Sequence, residues 1–226
     1  MLIITGPSGP VFLLNDLGVI MSFTALQPFG PKLAKFELDV EFITKVNDFI
    51  DSPQNEGKMQ PHGSYLAGEI KSERLIDFIA LNESTNCAAV LSQCVGEYVL
   101  KAAQKKITKM SITSLWVNDM EAGDYNPVHW HDSHISGVFY SKLSSGLSVA
   151  NDSSIKKNNQ DGTISFIHGS KQFLSESLLV EVPSVGDLFL FPSYLMHQVN
   201  PFKADGIRRS IAFNCNIDED IFNCYK

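Results

Sequence analysis

Hydrophobic positions recur at helical spacing in the first half of the chain and at strand spacing in the second. In 39–51 (DVEFITKVNDFID), Val40, Ile43, Val46, Phe49 and Ile50 fall three to four residues apart. That spacing predicts an amphipathic helix, with Asp39 placed to cap its first turn. Residues 53–70 hold Pro53, Gly57, Pro61 and Gly63 and read as a loop. The stretch 72–81 (SERLIDFIAL) predicts a second helix capped by Ser72. A longer helix is predicted over 84–106, with Leu91, Val95, Tyr98 and Ala102 on one face. Near residue 108 the period changes. Short β-prone runs follow at about 110–118, 135–142, 146–150, 163–168, 178–182, 187–191, 194–199 and 207–217, parted by turn residues. The polar stretch 151–162 (NDSSIKKNNQDG) reads as a long exposed loop. Eight short strands in succession predict a sandwich or double-sheet barrel, so the fold class is mainly β with N-terminal helices packed on it. The organisation expected is one domain over 21–226, with a helical part over 39–106 and a β core over 108–217. Residues 1–20, broken by Gly6, Pro7, Gly9 and Pro10, read as an N-terminal extension.

Composition narrows the function classes. A chain of 226 residues can bury one sizeable core, and 44% hydrophobic with 19% charged residues is ordinary for a globular protein. A net charge of -7 argues against a nucleic-acid partner, which would need clustered Lys and Arg. Lys101, Lys105, Lys106 and Lys109 read as a solvated helix face. No run of 18 apolar residues predicts a membrane span, and the apolar start lacks the basic residues of a signal peptide. Cys87, Cys94, Cys215 and Cys224 show no C-x-x-C spacing and read as free thiols of a cytoplasmic protein, the first two on one buried helix face.

The candidate chemistry lies in three histidines. His129 and His131 stand in NPVHWH, and His197 ends the apolar run LFLFPSYLMH. On a strand, His-x-His puts both imidazoles on one face and turns Trp130 the other way, into packing; residues 126–128 read as the turn leading in. A strand carrying His197 can lie beside it. Three imidazoles suit Fe(II), Zn(II), Cu(II) or Ni(II), and occupy one face of the metal while the other stays open. Eleven residues after His197 comes Arg208 of Arg208-Arg209-Ser210. Arg208 and Ser210 share a strand face and make a charge-assisted clamp for a carboxylate. Arg209 alternates outward, toward solvent or the other sheet. His62, His134 and His168 read as structural.

The strings HWHDSHISGVFY, GDLFLFPSYLMHQVNP and RRSIAFN resemble the 2-oxoglutarate- and Fe(II)-dependent oxygenase superfamily, and within it a little-characterised bacterial and phage branch. The resemblance spans about 110–217, roughly half the chain, and includes Trp116-Val117-Asn118 on the strand leading into the site. It implies a double-stranded β-helix (a jelly roll, cupin-like). It also implies Fe(II) held by His129, His131 and His197, with 2-oxoglutarate chelating the iron and its distal carboxylate on Arg208 and Ser210. Tyr140, Asn118 or Asn214 would add a hydrogen bond to the cosubstrate. The implied reaction is hydroxylation of a C–H bond, with release of succinate and CO2. Most members carry His-x-Asp or His-x-Glu, and here His131 stands at the acidic position. Asp132, next to it, is the other candidate, although adjacent strand residues face opposite ways. Gly137 fits a close backbone approach, and Pro192 a bend that aims His197. Two other readings stay open: a three-histidine cupin-type metal dioxygenase that does not use 2-oxoglutarate, and a non-catalytic jelly-roll binding protein. The expected partner is a small-molecule or peptide substrate, with loops 53–70 and 151–162 forming its lip. A homodimer through the helical half is expected, with no membrane partner.

Overall fold

The computed structural model describes residues 2–5, 11–14, 23–26, 30–63, 68–144, 147, 160–173 and 175–224. Helix α1 spans Val40–Asp51, and its cap is Asp39, whose carboxylate accepts the N–H of Glu41 at 2.7 Å. The predicted apolar face (Phe42, Ile43, Val46, Phe49, Ile50) is buried. Within 53–70, Pro53–Lys58 forms a short 3-10 turn and Met59–Pro61 strand β5.

The second predicted helix is half strand. Ser72–Ile76 forms β6, and helix α2 (Phe78–Thr85) starts only after Asp77, whose carboxylate accepts the N–H groups of Ile79 and Ala80 at 3.0 and 3.2 Å. The cap is therefore Asp77, not Ser72. The SERLI run pairs with a neighbouring strand, and sheet contacts override its helical spacing. Asn86, in the left-handed region at φ 58°, closes α2 and opens α3 (Cys87–Ala103), so the long helix begins later than its periodicity suggests. Cys87 and Cys94 both point into the core.

The remaining strands are β1 (Leu2–Thr5), β2 (Val11–Leu14), β3 (Phe23–Leu26), β4 (Leu33–Glu37), β7 (Lys109–Met120), β8 (Asn126–His129), β9 (Ile135–Lys142), β10 (Ile164–Ile167), β11 (Leu178–Glu181), β12 (Asp187–Pro192), β13 (Met196–Val199) and β14 (Arg208–Ile217), followed by the short helix α4 (Glu219–Asn223). The large sheet runs β2-β1-β7-β14-β9-β12-β4-β3, with β6 also on β7 and β5 on β6. The small sheet runs β11-β10-β13-β8. This is a jelly roll, with helices against the outer face of the large sheet. Segment 2–5 pairs in parallel with the start of β7, and 33–37 lies beside β12. Most of the predicted strand 146–150 and of the predicted loop 151–162 falls outside the described residues.

Period-two alternation sorts β14 between two environments. Ile211, Phe213 and Cys215 join Leu115, Val117, Phe139 and Leu190 in the core beneath α1 and α3. Ser210, Ala212 and Asn214 face the gap between the sheets, whose apolar filling is Leu33, Tyr140, Ile164, Phe166, Phe189 and Phe191. Gly137 on β9 is the close approach expected of it: a Cβ there would collide with the Phe213 ring and come 2.8 Å from Leu190 Cδ2.

Candidate metal and cosubstrate site

Strands β8 and β13 are neighbours in the small sheet, and His129 and His197 sit directly opposite each other in their register. Their ring centroids are 4.2 Å apart, and His131 lies 5.1 and 5.2 Å from them. One ring nitrogen from each of the three falls within 4.8 Å of the others. The Nδ1–H of His129 donates to the carbonyl of Pro127 at 2.7 Å, and that of His197 to the carbonyl of Leu195 at 2.9 Å. A carbonyl can only accept, so both protons are fixed on Nδ1 and the Nε2 lone pairs are left free. Pro192 acts as the bend its position suggests: its carbonyl accepts the N–H of Leu195 at 2.9 Å, and Leu195 in turn orients His197.

His131 reaches the cluster by a different route from the one predicted. β8 covers 126–129, so the strand ends at His129 rather than running through His131. Residues 130–134 are irregular, pinned where the N–H of His131 donates to Ser193 O at 2.9 Å and the N–H of Ser193 to His134 O at 3.2 Å. His131 then packs edge-on against Trp116, at 5.7 Å between centroids. Trp130 does turn away, but into the open: it is 60% exposed instead of packed. Asp132 is exposed and outside the three-nitrogen group.

Burial depresses all three imidazole pKa values, and neighbouring imidazoles lower those of His131 and His197 further. His131 falls to about 4 and His197 to about 3, while His129 is lowered by burial against the opposing effect of its bond to Pro127. Three neutral imidazoles with free lone pairs form a donor set that fits Fe(II), with open positions for other ligands.

The large sheet supplies the facing wall. Ser210 is opposite Asn118 on β7 and Tyr140 on β9, so all three share one cross-strand row. They line one cavity together with Trp116 and the three histidines. Arg208 lies one step further along β14, opposite Met120, and is 1% exposed. It borders the cavity through Tyr140: its guanidinium stacks 4.7 Å over the Tyr140 ring and donates to the phenol oxygen at 3.2 Å. Its other partners are Gly162 O at 3.1 Å and Met120 Sδ at 3.2 Å. Among the described residues no carboxylate pairs with it. Asn214 has both ends of its amide engaged, by Ser136 at 2.7 Å and Ser114 at 3.2 Å, and so belongs to the scaffold. Arg209, expected outward toward solvent or the other sheet, is buried under α1, where it grips Asp119 at 2.6 and 3.0 Å and Asp51 at 2.8 Å.

Sequence reasoning missed Glu73, Asn126 and Phe191. Asn126 and Phe191 line the cavity, and Glu73 is the β6 residue opposite Asn118. Glu73 and Asn118 form a cross-strand pair only if 72–76 is a strand, and that signal was masked by the helical spacing.

Residues 114–214 match a protein family described as "Putative 2OG-Fe(II) oxygenase". Among curated proteins the sequence has no match. Several solved structures share the fold. A prolyl-4-hydroxylase from Pseudomonas putida is 14% identical, with a TM-score of 0.54 over 80% of this chain and 91% of its own. A prolyl hydroxylase from Trichoplax adhaerens, solved with a peptide fragment of a hypoxia inducible factor, is 15% identical, with a TM-score of 0.56 over 90% and 87%. SnoK, an alpha-ketoglutarate-dependent carbocyclase of nogalamycin biosynthesis, is 10% identical, with a TM-score of 0.54 over 82% and 79%. At these identities the likeness is one of fold. The family match takes in β8 to β13 whole and parts of β7 and β14, and the three imidazoles that converge inside the jelly roll fall within it.

Proposed function

We propose that this protein is an Fe(II)- and 2-oxoglutarate-dependent dioxygenase that hydroxylates a C–H bond of a small-molecule or peptide substrate, with release of succinate and CO2. In this reading His129, His131 and His197 hold the iron, and Arg208, Ser210, Tyr140 and Asn118 hold the cosubstrate. The observation that carries it is Arg208. A guanidinium buried with a carbonyl, a thioether and a phenol for company is poorly compensated, and a carboxylate is the ligand it lacks. Tyr140 stands between it and the histidines, so a five-carbon keto-diacid anchored there would extend toward the metal. Ser210 and Asn118, in the row with Tyr140, add hydrogen bonds along its length. Iron supplies dioxygen activation when bound; the protein's part is to fix three neutral donors, orient the cosubstrate and keep water out. The four free cysteines, three of them buried, support a reducing cytoplasm as its setting.

Anaerobic titration of the protein with Fe(II) and 2-oxoglutarate tests the assignment: a weak visible charge-transfer band should appear, and air should then release succinate. Replacing Arg208 with Ala should remove cosubstrate affinity and leave metal binding. Wild-type affinity in that variant would sink the clamp. The all-nitrogen donor set favours one second reading, a three-histidine dioxygenase in which Arg208 holds a substrate carboxylate; oxygen uptake with no succinate would select it.

A further inference from the structure

Beside the histidines lies a set of acceptor atoms that the cosubstrate reading does not use: even Asn118, whose amide N–H2 would serve 2-oxoglutarate, has its Oδ1 left over. Glu73 on β6 is directly opposite Asn118 on β7, which extends the row Asn118–Ser210–Tyr140 by one strand. Glu73 is 4% exposed and Asn118 7%. Both carboxylate oxygens of Glu73, Oδ1 of Asn118 and Oδ1 of Asn126 are buried and make no hydrogen bond. Asn118 and Asn126 line the same cavity as the histidines.

The other buried carboxylates among the described residues are satisfied. Asp119 is held by Arg74 and Arg209, Asp187 by Lys35 and the N–H of Ser184, and Asp124 by the N–H of Glu121. Glu73 is the exception. The cations nearest in sequence are committed elsewhere: Arg74 alternates to the far face and pairs with Asp119 at 2.8 Å, and Lys71 pairs with Glu121 at 2.8 Å. Asp124 adds a second negative charge close enough to act on Glu73. The backbone comes close at two glycines. A Cβ on Gly63 would stand 3.2 Å from Glu73 Oε2, and one on Gly68 3.3 Å from Asn126 Oδ1.

Four buried acceptor atoms with no donor form half of a hydrogen-bonding site. The missing half must bring N–H or O–H groups, and next to two carboxylates it is best met by a positive charge. The asparagine amides can turn to suit either partner; Glu73 fixes the preference for a donor. We propose that Glu73, Asn118 and Asn126 form a substrate subsite beside the histidines that receives a basic nitrogen, an ammonium or guanidinium group. The identification of its occupant as substrate rests on the oxygenase reading above, whereas the preference for a cation rests on these side chains alone.

The test is a ligand-observed NMR titration of the full-length protein, both without metal and loaded with Zn(II) and 2-oxoglutarate. The probes are n-butylammonium and n-butylguanidinium, with n-butanol and butanoate as uncharged and anionic controls. The cations should bind at least about tenfold more tightly than either control, as expected of a charge-assisted site. Glu73→Gln should erase that preference, and Glu73→Asp should keep part of it. If Glu73→Gln does not fold, Asn126→Ala should weaken the cations about threefold and leave n-butanol unchanged. Equal binding of cation and alcohol by the wild type, or a preference that survives Glu73→Gln, would overturn the subsite. The two proposals fail separately. Absence of the iron–2-oxoglutarate band with the cation preference intact removes the oxygenase reading alone. The band with no cation preference removes the subsite alone.

Discussion

Arg208 and Arg209 are neighbours on β14, both buried, and they face opposite ways into opposite kinds of surroundings. Arg209 points to the helices and is fully answered: Asp119 takes two of its N–H groups, Asp51 a third, and Arg74 and Lys142 share those same carboxylates. Arg208 points to the cavity side, and among the described residues it meets only neutral partners. The first face was completed by folding. The second holds a buried positive charge, and the proposed cosubstrate would bring the carboxylate to it. Since an unpaired buried charge costs far more than a paired one, such a charge persists where a ligand answers it.

That contrast can be broken by substitution. Arg209→Met leaves Asp119 to Arg74 alone and Asp51 to Lys142 alone, and the loss of its charge-assisted hydrogen bonds should cost about 2–3 kcal/mol of stability. Urea unfolding measures this, and the folded protein should bind 2-oxoglutarate within a few-fold of wild type. Arg208→Met should do the reverse. Stability should fall by no more than about 1–2 kcal/mol, because only neutral hydrogen bonds are lost. Cosubstrate affinity should fall by about 2–5 kcal/mol, at least about thirtyfold, in the anaerobic titration. If the two variants destabilise the fold equally, Arg208 is a structural residue and the contrast is false.

Much of this arrangement was legible in the sequence. The separation of His129, His131 and His197 and the spacing Arg208-x-Ser210 needed only the period-two rule to suggest one site, and the structure brings the three rings together with Ser210 and Tyr140 facing them. The failures share a cause. SERLIDFIAL satisfies helical spacing over its whole length, yet Asp77 divides it, and the strand pairing that decides the matter comes from residues forty positions away. His-x-His read as one strand because the local pattern allows it; the hydrogen bond from His131 to Ser193 that bends the chain there is equally non-local. Strands β1 to β4 are no shorter than β10, β11 and β13, and what defines them is non-local pairing, of β1 with β7 and of β4 with β12. Glu73 was hidden by the first of these errors, since a helix would not set it opposite Asn118.

Glu73 sharpens the contrast at its smallest scale. Like Arg208 it lies on the cavity side with no counter-charge beside it among the described residues, but its sign is opposite, so its cost should appear as pH dependence. Burial, aided by the charge of Asp124, raises its pKa to about 7 from the ordinary value of 4.5. A carboxyl with a raised folded-state pKa favours the folded state while protonated. The wild type should therefore lose stability as pH climbs from about 4.5 to about 7 and level off above that, by an amount of the order of 3 kcal/mol. Glu73→Gln has no charge to bury. It should match the wild type at pH 4.5 and exceed it at pH 8, read from urea midpoints at the two values. The same substitution is expected to abolish the preference for cationic probes, so stability and recognition should move in opposite directions at one residue. A variant less stable than wild type at pH 8 would mean that the Glu73 carboxylate already has a partner in the fold, and the cavity side would then be complete at that position.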